Sequence, residues 1–489
     1  MAPGDKTIPL VLDEGSAMYV SAAKIYPREV SGRFDRLRKL AVFWLLGMFY
    51  LFPWLDWDGR QIVLFDLPAR KFYIFGLTFW PQDFFYLAML LMVAAFSLFF
   101  FTALAGRLWC GYACPQTVWT EVFLWLERLS CGNRSQQIKL DQGPWNRNKW
   151  LQKGAKQLLW ITFAAWTGFT FVGFFTPIKQ LATEVGQLGL GGWEAFWIGF
   201  YGLATYGNAG YLREQVCKYM CPYARFQGAM FDRQTLIIAY DETRGEPRGA
   251  RRKGTPSVLA GAGRSAAAAS PPGPEVSSPP ATPALGDCVD CTICVQVCPT
   301  GIDIRDGLQY ECIACGACID ACDSVMDKLG YPRGLIRYDT LASMQGAAIR
   351  VLRPRVLIYA GILCVLLGAF LWSVTHRTPV QFDVLRDRNA LFRTLADGAI
   401  ENVYTLKIIN KDKQRHQYRI GVEASFPVQA LLSENPISVG AERATELVLT
   451  LRAEAGVAQG VAPIALSLQS IEQPEVGAVQ ATRFIGPLQ

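Results

Sequence analysis

The chain has 489 residues, 51% of them hydrophobic and 18% charged, with a formal charge of +7 and a mean hydropathy of +0.18. That hydropathy points to membrane spans, and the excess Lys and Arg lie beside apolar runs, which favours membrane topology over nucleic-acid binding. Only His376 and His416 are available as histidines; neither lies in an apolar helix, so bis-histidine haem within the membrane is excluded and both are expected on solvated surface.

Residues 1–36 are polar and lack the pattern of a removable signal peptide, so they read as a cytoplasmic segment ahead of an uncleaved anchor. Five apolar stretches have the length of transmembrane helices: Leu37–Trp54, Phe84–Ala105, Gln157–Thr176, Trp193–Leu212 and Arg355–Val374. The first four make a membrane domain over 37–231, and the last is a fifth span within 351–376. Arg28, Arg33, Arg36, Arg38 and Lys39 precede the first span, and Arg128, Arg134, Lys139, Arg147, Lys149, Lys153 and Lys156 crowd the loop between the second and third. The positive-inside rule therefore puts both segments in the cytoplasm and the C-terminal part of the chain in the periplasm.

A short motif recurs in the membrane domain. Cys110-x3-Cys114-Pro115 follows the second span and Cys217-x3-Cys221-Pro222 follows the fourth. Cysteines four apart share a helical face, and the proline is expected to end or redirect the helix. Soft thiolates in two such pairs suit Cu(I), zinc or iron–sulfur chemistry, with Arg107, Arg213 and Lys218 as nearby cations that assist deprotonation. Cys131 and Cys364 are unpaired and read as packing residues.

Residues 232–286 read as a flexible tether, rich in Pro, Ala, Gly and Ser from Gly245 to Gly286, notably at 266–272 and 277–283, and able to let the next domain swing towards the membrane. That domain, 287–350, carries Cys288-x2-Cys291-x2-Cys294-x3-Cys298-Pro299 and then Cys312-x2-Cys315-x2-Cys318-x3-Cys322. This is the ligand spacing of a bacterial-type ferredoxin with two 4Fe–4S clusters, in which the fourth cysteine of each run serves the other cluster. Cys288, Cys291, Cys294 and Cys322 form one predicted ligand set; Cys298, Cys312, Cys315 and Cys318 form the other. Paired zinc sites need no interlocked fourth cysteine, and a disulfide framework conflicts with a reducing compartment. From 377 to 489 alternating short runs with turn signals predict an immunoglobulin-like β-sandwich. The predicted fold class is thus a multi-domain membrane protein: an α-helical transmembrane bundle, an inserted α+β ferredoxin domain and a C-terminal all-β sandwich.

Over nearly its whole length the chain resembles the cytochrome c oxidase accessory protein family known as CcoG, FixG or RdxA. The most specific patches are Val63–Phe72, Gly76–Asp83 and Trp109–Trp119, together with the double ferredoxin motif and the C-terminal domain. The resemblance implies a bacterial inner-membrane protein that reduces Cu(II) to Cu(I) during maturation of a cbb-type oxidase, working with oxidase assembly factors or copper chaperones and an unidentified electron donor. It implies metal handling by Cys110, Cys114, Cys217 and Cys221, with copper as substrate or transient ligand. The membrane part also resembles the NapH and NosR proteins, so a quinol-linked electron conduit is one alternative. A non-enzymatic assembly scaffold is another.

Overall fold

The computed structural model describes residues 24–250, 257, 285–388, 390–457 and 459–487. The tether tracts at 266–272 and 277–283 lie outside the described residues. The chain divides into two compact units, one made of residues through Phe65 together with Met92–Leu363, the other of Asp66–Leu91 and Cys364–Gln489.

In the first unit, helix α1 (Arg33–Leu51) begins where Gly32 leaves extended backbone. Its first N–H groups lack partners within the helix, and the Asp320 carboxylate accepts them, at 3.2 Å from Phe34 N and 2.7 Å from Asp35 N. Helix α2 (Phe84–Ala105) is followed by the short α3 (Leu108–Tyr112) and the amphipathic α4 (Pro115–Cys131). Then come α5 (Arg147–Val172), α6 (Gly192–Thr205) and α7 (Pro222–Met230). The segments Arg33–Trp54, Pro81–Ala105 and Pro354–Thr375 are long and apolar enough to cross a membrane. The expected count of about five is therefore not reached on length and composition. The third expected span lies mostly within α5, whose start is basic and whose body is diluted by Thr, Gly and Trp. The fourth is α6 interrupted by wide i→i+5 turns over Tyr206–Leu212. Both helices nevertheless expose large apolar side chains, including Leu158, Trp166, Phe196 and Phe200.

The ferredoxin body begins earlier than its cysteines. Strand Ile237–Tyr240 pairs antiparallel with Ile336–Asp339, so that the entering and leaving chains are stitched together. The buried Arg244–Asp287 ion pair at 2.8 Å ties the far side of the tether to the same body. Residues 237–250, expected in the linker, thus extend this domain. Nor is the body free to swing within the unit: Arg28 N donates to Gln296 O at 2.8 Å, and Val30 packs on a core of Val297, Ile313 and Ala317.

In the second unit, the hairpin Lys71–Ile74 and Leu77–Phe79 precedes a buried carboxylate, Asp83, which receives Arg377 at 2.7 Å and Lys411 at 2.6 Å. The hairpin adds Lys71 Nζ to Glu442 O at 2.8 Å and Thr78 Oγ1 to Glu442 Oε1 at 2.6 Å. The patch Gly76–Asp83 is therefore a clasp on the base of the sandwich. The sandwich itself has one sheet ordered Gln429–Leu431, Ala444–Ala453, Ile400–Asn410, Val380–Arg386. The other is ordered Ile437–Val439, His416–Ala424, Val461–Ser470, Gly477–Ile485. Alternating residues Tyr404, Leu406 and Ile408, with Leu449 of the neighbouring strand, face Ile420, Leu466 and Phe484 of the other sheet in one core, as a two-residue period requires. His376 is exposed on Trp372, but His416 is buried rather than solvated. Its Nε2 lies 2.8 Å from Asp412, because the first residue of its strand points into the sandwich.

Candidate iron–sulfur and thiol site

The two cysteine runs of the ferredoxin body fold alike. Asp290 and Ala314, each just before the second cysteine of its run, have φ of 51° and 53°; Thr292 and Gly316, each just after it, have φ of 55° and 75°. Left-handed residues on both sides of Cys291 and Cys315 curl each loop so that successive N–H groups face inward, a concavity suited to an anionic cluster. The thiols follow. Cys288, Cys291, Cys294 and Cys322 line one cavity with Val325, Met326 and Ile336. Cys298, Cys312, Cys315 and Cys318 line a second with Ile302, Ile304 and Ile313, and Cys294 borders it too. These are the two interlocked sets that the spacing predicts.

The donor set fits a cube better than a single ion. Among the described residues no three His, Cys, Asp or Glu side chains converge tightly enough for one metal ion. Tetrahedral zinc draws its sulfurs to about 2.3 Å from one centre, whereas a cube offers each thiolate its own iron corner and so spreads them apart. Burial pushes the thiols up, to about 11 at Cys294 and about 12 at Cys312 and Cys322. Cluster binding must therefore displace protons, and it couples to folding.

The membrane cysteines are positioned by a helix break rather than along one helical face. Helix α3 stops at Tyr112, Cys114 is the N-cap of α4, and Pro115 occupies its first turn. In the second motif Cys217 lies in a wide turn over Val216–Met220, Cys221 is the N-cap of α7, and Pro222 starts that helix. Proline lacks an N–H and has a helical φ, so it begins the next helix where it cannot continue the last. The motifs are therefore equivalent and set one thiol of each pair at a helix N-terminus. Gln116 joins them by donating to Asn208 O at 2.9 Å and Arg213 O at 3.1 Å. The four thiols lie within electrostatic reach of one another: Cys110 feels Cys114 and Cys217, and Cys114 feels Cys221. Burial, reinforced by these like neighbours, pushes Cys110 up to about 12 and Cys217 to about 11 against the opposing pull of Arg107.

This thiol group abuts the second cluster cavity. Cys110 packs on Ile313, Cys315 and Ala317. A Cβ on Gly111 would lie 2.8 Å from Ile313 O and 2.9 Å from Ala314 O, so only glycine permits this approach. Arg107 clamps the junction, donating to Ala224 O at 2.6 Å, to Cys312 O at 3.4 Å and to Tyr310 O. An open cavity joins Cys217 to Thr117, Glu121, Leu124, Glu214, Thr300 and Ile313. Of the cations expected to assist the thiols, Arg107 does so; Arg213 is committed to Glu127 at 2.6 Å and to Gly210 O. Cys131 is buried with its thiol towards Gln152 O, and Cys364 is exposed. Sequence reasoning missed Arg38, whose positive charge acts on Cys315, as well as Gln227, which accepts from Cys110 at 3.4 Å, and the helix-capping Asp320. Nothing in their spacing separates them from ordinary surface residues.

Fold and site together define a membrane protein with a two-cluster iron–sulfur body and an immunoglobulin-like C-terminal domain. A 4Fe-4S dicluster domain model matches 212–272 and 273–341, and a 4Fe-4S binding domain model matches 86–130, which includes Cys110 and Cys114. The model for the IG-like fold at the C-terminus of FixG matches 370–487. The nitrogen fixation protein FixG of Rhizobium meliloti is 39% identical, covering 83% of this chain and 80% of its own. Protein RdxA of Cereibacter sphaeroides is 36% identical, covering 95% and 97%, and RdxB of the same organism 38%, covering 87% of each. A crystal structure of a FixG-related protein from Vibrio parahaemolyticus is 31% identical over 22% of this chain and 95% of that one, with a TM-score of 0.20. The chain belongs to the FixG/RdxA family.

Proposed function

We propose that this protein is an inner-membrane reductase that converts Cu(II) to Cu(I) for maturation of a cbb-type cytochrome c oxidase. The observation that carries the reading is Cys110, within electrostatic reach of Cys114 and Cys217, packed on the side-chain cluster that contains Cys315 and Cys318 of the second cavity. Each bound 4Fe–4S group supplies one-electron exchange, at potentials that proteins tune between roughly −700 and +450 mV. Cu(II) reduction is likewise a one-electron event. Soft sulfur donors favour the Cu(I) product, and the cavity beside Cys217, which carries Glu121 and Glu214 among its apolar residues, gives a cation a route to them. The basic segments keep the thiols and the ferredoxin body on the cytoplasmic face, with α5 and α6 as further spans and the C-terminal domain in the periplasm. Its partners are then copper chaperones or oxidase assembly factors.

Anaerobically purified protein, analysed for iron, sulfide and copper with EPR before and after Cu(II) addition, tests this. Cys110→Ser and Cys217→Ser are expected to keep full iron but to lose copper and Cu(II) reduction; unchanged reduction in both overturns the reading. A second reading is favoured by the iron–sulfur model matching 86–130: the membrane thiols contact iron. It predicts that the same variants lose iron instead.

A further inference from the structure

We infer that Arg107 makes the group held by Cys298, Cys312, Cys315 and Cys318 the higher-potential member of the pair, and hence the one from which electrons leave. Reduction adds a negative charge to a cluster, and a nearby uncompensated cation in a poorly screened interior stabilises that charge. The surroundings of the two cavities differ in this respect. Arg107 is only 6% exposed, and its guanidinium faces the carbonyls of Tyr310, Cys312 and Ala224. Among the described residues it pairs with no carboxylate, so its charge is met by backbone carbonyls and the face of the Tyr310 ring, 4.7 Å away. Arg38 is a second cation acting on Cys315, but it is shared with Glu121 at 3.5 Å and Asp35 at 3.8 Å.

The cavity of Cys288, Cys291, Cys294 and Cys322 also has its arginine, Arg305. That cation is cancelled by Asp303, which it holds at 2.6 Å, and by Asp290 at 2.5 Å. Arg305 itself acts on Cys294 ahead of Asp303, but its one charge is outnumbered by Asp290 and Asp303, and Asp323 acts on Cys322. The balance there is anionic and disfavours the reduced state. Exposure acts against this balance, because water around Cys291 also stabilises the reduced charge, but it leaves that end open to a donor while the other set packs against the Cys110 helix. Charge enters at the exposed, lower-potential end and falls towards the membrane thiols. Arg107 is accordingly a positioning residue for electrons, not a ligand.

This inference rests on the two-cluster reading and holds whatever the final acceptor is. An EPR-monitored dithionite titration of the full-length detergent-solubilised protein tests it, with iron and sulfide content separating loss of a cluster from a change in its potential. Arg107→Gln is expected to lower the upper of two one-electron potentials by about tenfold in its reduction constant, roughly 59 mV. The lower potential stays in place, and Arg107→Lys restores most of the difference. Movement of the lower potential, of both together, or of neither overturns the inference. Should Arg107→Gln lose iron, Arg305→Gln is read instead: by leaving Asp290 and Asp303 uncompensated it must depress only the lower potential, and a shift in the upper one, or in neither, overturns the inference.

Discussion

The ferredoxin body and the membrane domain each repeat a cysteine motif, yet they treat their sulfurs differently. In the ferredoxin body the thiols line cavities walled by Ile, Val and Met, on loops fixed by left-handed turns. In the membrane domain each pair straddles a helix break, with one thiol at a helix N-terminus, and Cys217 opens on a cavity lined by Thr, Glu and Arg. An apolar, closed wall suits a resident cofactor that never leaves, because nothing there competes for it in solution. A more open wall that carries the carboxylates Glu121 and Glu214 among apolar residues suits a cation that comes and goes. The difference separates holding from exchanging.

The comparison breaks most visibly at Cys315, which is buried at the centre of the second cavity. Cys315→Ser is expected to cost one whole cluster, halving iron and sulfide, and to loosen the docked body. Full iron in that variant would remove the distinction drawn here.

The scaffold under the membrane thiols gives the next largest effect. Glu127 is 2% exposed and meets Arg213 at 2.6 Å, Lys24 at 3.0 Å and Lys156 at 3.6 Å. Burial alone pushes its carboxyl up, but Arg213, Lys24 and Lys156 outweigh burial and hold it below the usual range. Its contribution is therefore present above the unfolded carboxylate pKa, about 4.3, and is lost as pH falls through the depressed folded value. Glu127→Gln leaves buried cations unpaired and should cost about 3 kcal/mol, read as a lower denaturant midpoint near neutral pH. The deficit should shrink on acidification below pH ~4. A pH-independent deficit would mean that packing, not charge, is lost.

Much of the site was legible because its chemistry depends on spacing. The interlocked cysteine sets follow from two C-x2-C-x2-C-x3-C runs, and the sandwich from strict alternation in stretches such as Val403–Ile409. The membrane helices were harder to read. In α5, Trp160 is 1% exposed while Trp166 is well exposed, so aromatic residues serve both protein packing and lipid-facing surface, and hydropathy alone does not separate the two. The break expected at each proline is present, but the shared helical face of each cysteine pair was misread, because the break falls between Cys110 and Cys114 and between Cys217 and Cys221. Asp320 and Arg107 act across long gaps in sequence, on Phe34 and on Cys312, and no local pattern encodes that.

The junction between the two regions offers the finest test. Gly111 belongs to the membrane motif but touches the backbone carbonyls of Ile313 and Ala314, inside the loop that carries Cys312 and Cys315. Gly111→Ala places a methyl group 2.8 Å and 2.9 Å from those oxygens, and backbone cannot rotate away as a side chain tip would. Overpacking of this kind costs about 1–3 kcal/mol. The strain should fall on the Cys312–Cys315 loop, shifting the EPR signal of that cluster while the cluster of Cys288, Cys291, Cys294 and Cys322 keeps its own. Equal perturbation of both signals would mean that the ferredoxin body moves as a rigid piece, and that its contact with the membrane thiols is not tuned at this glycine.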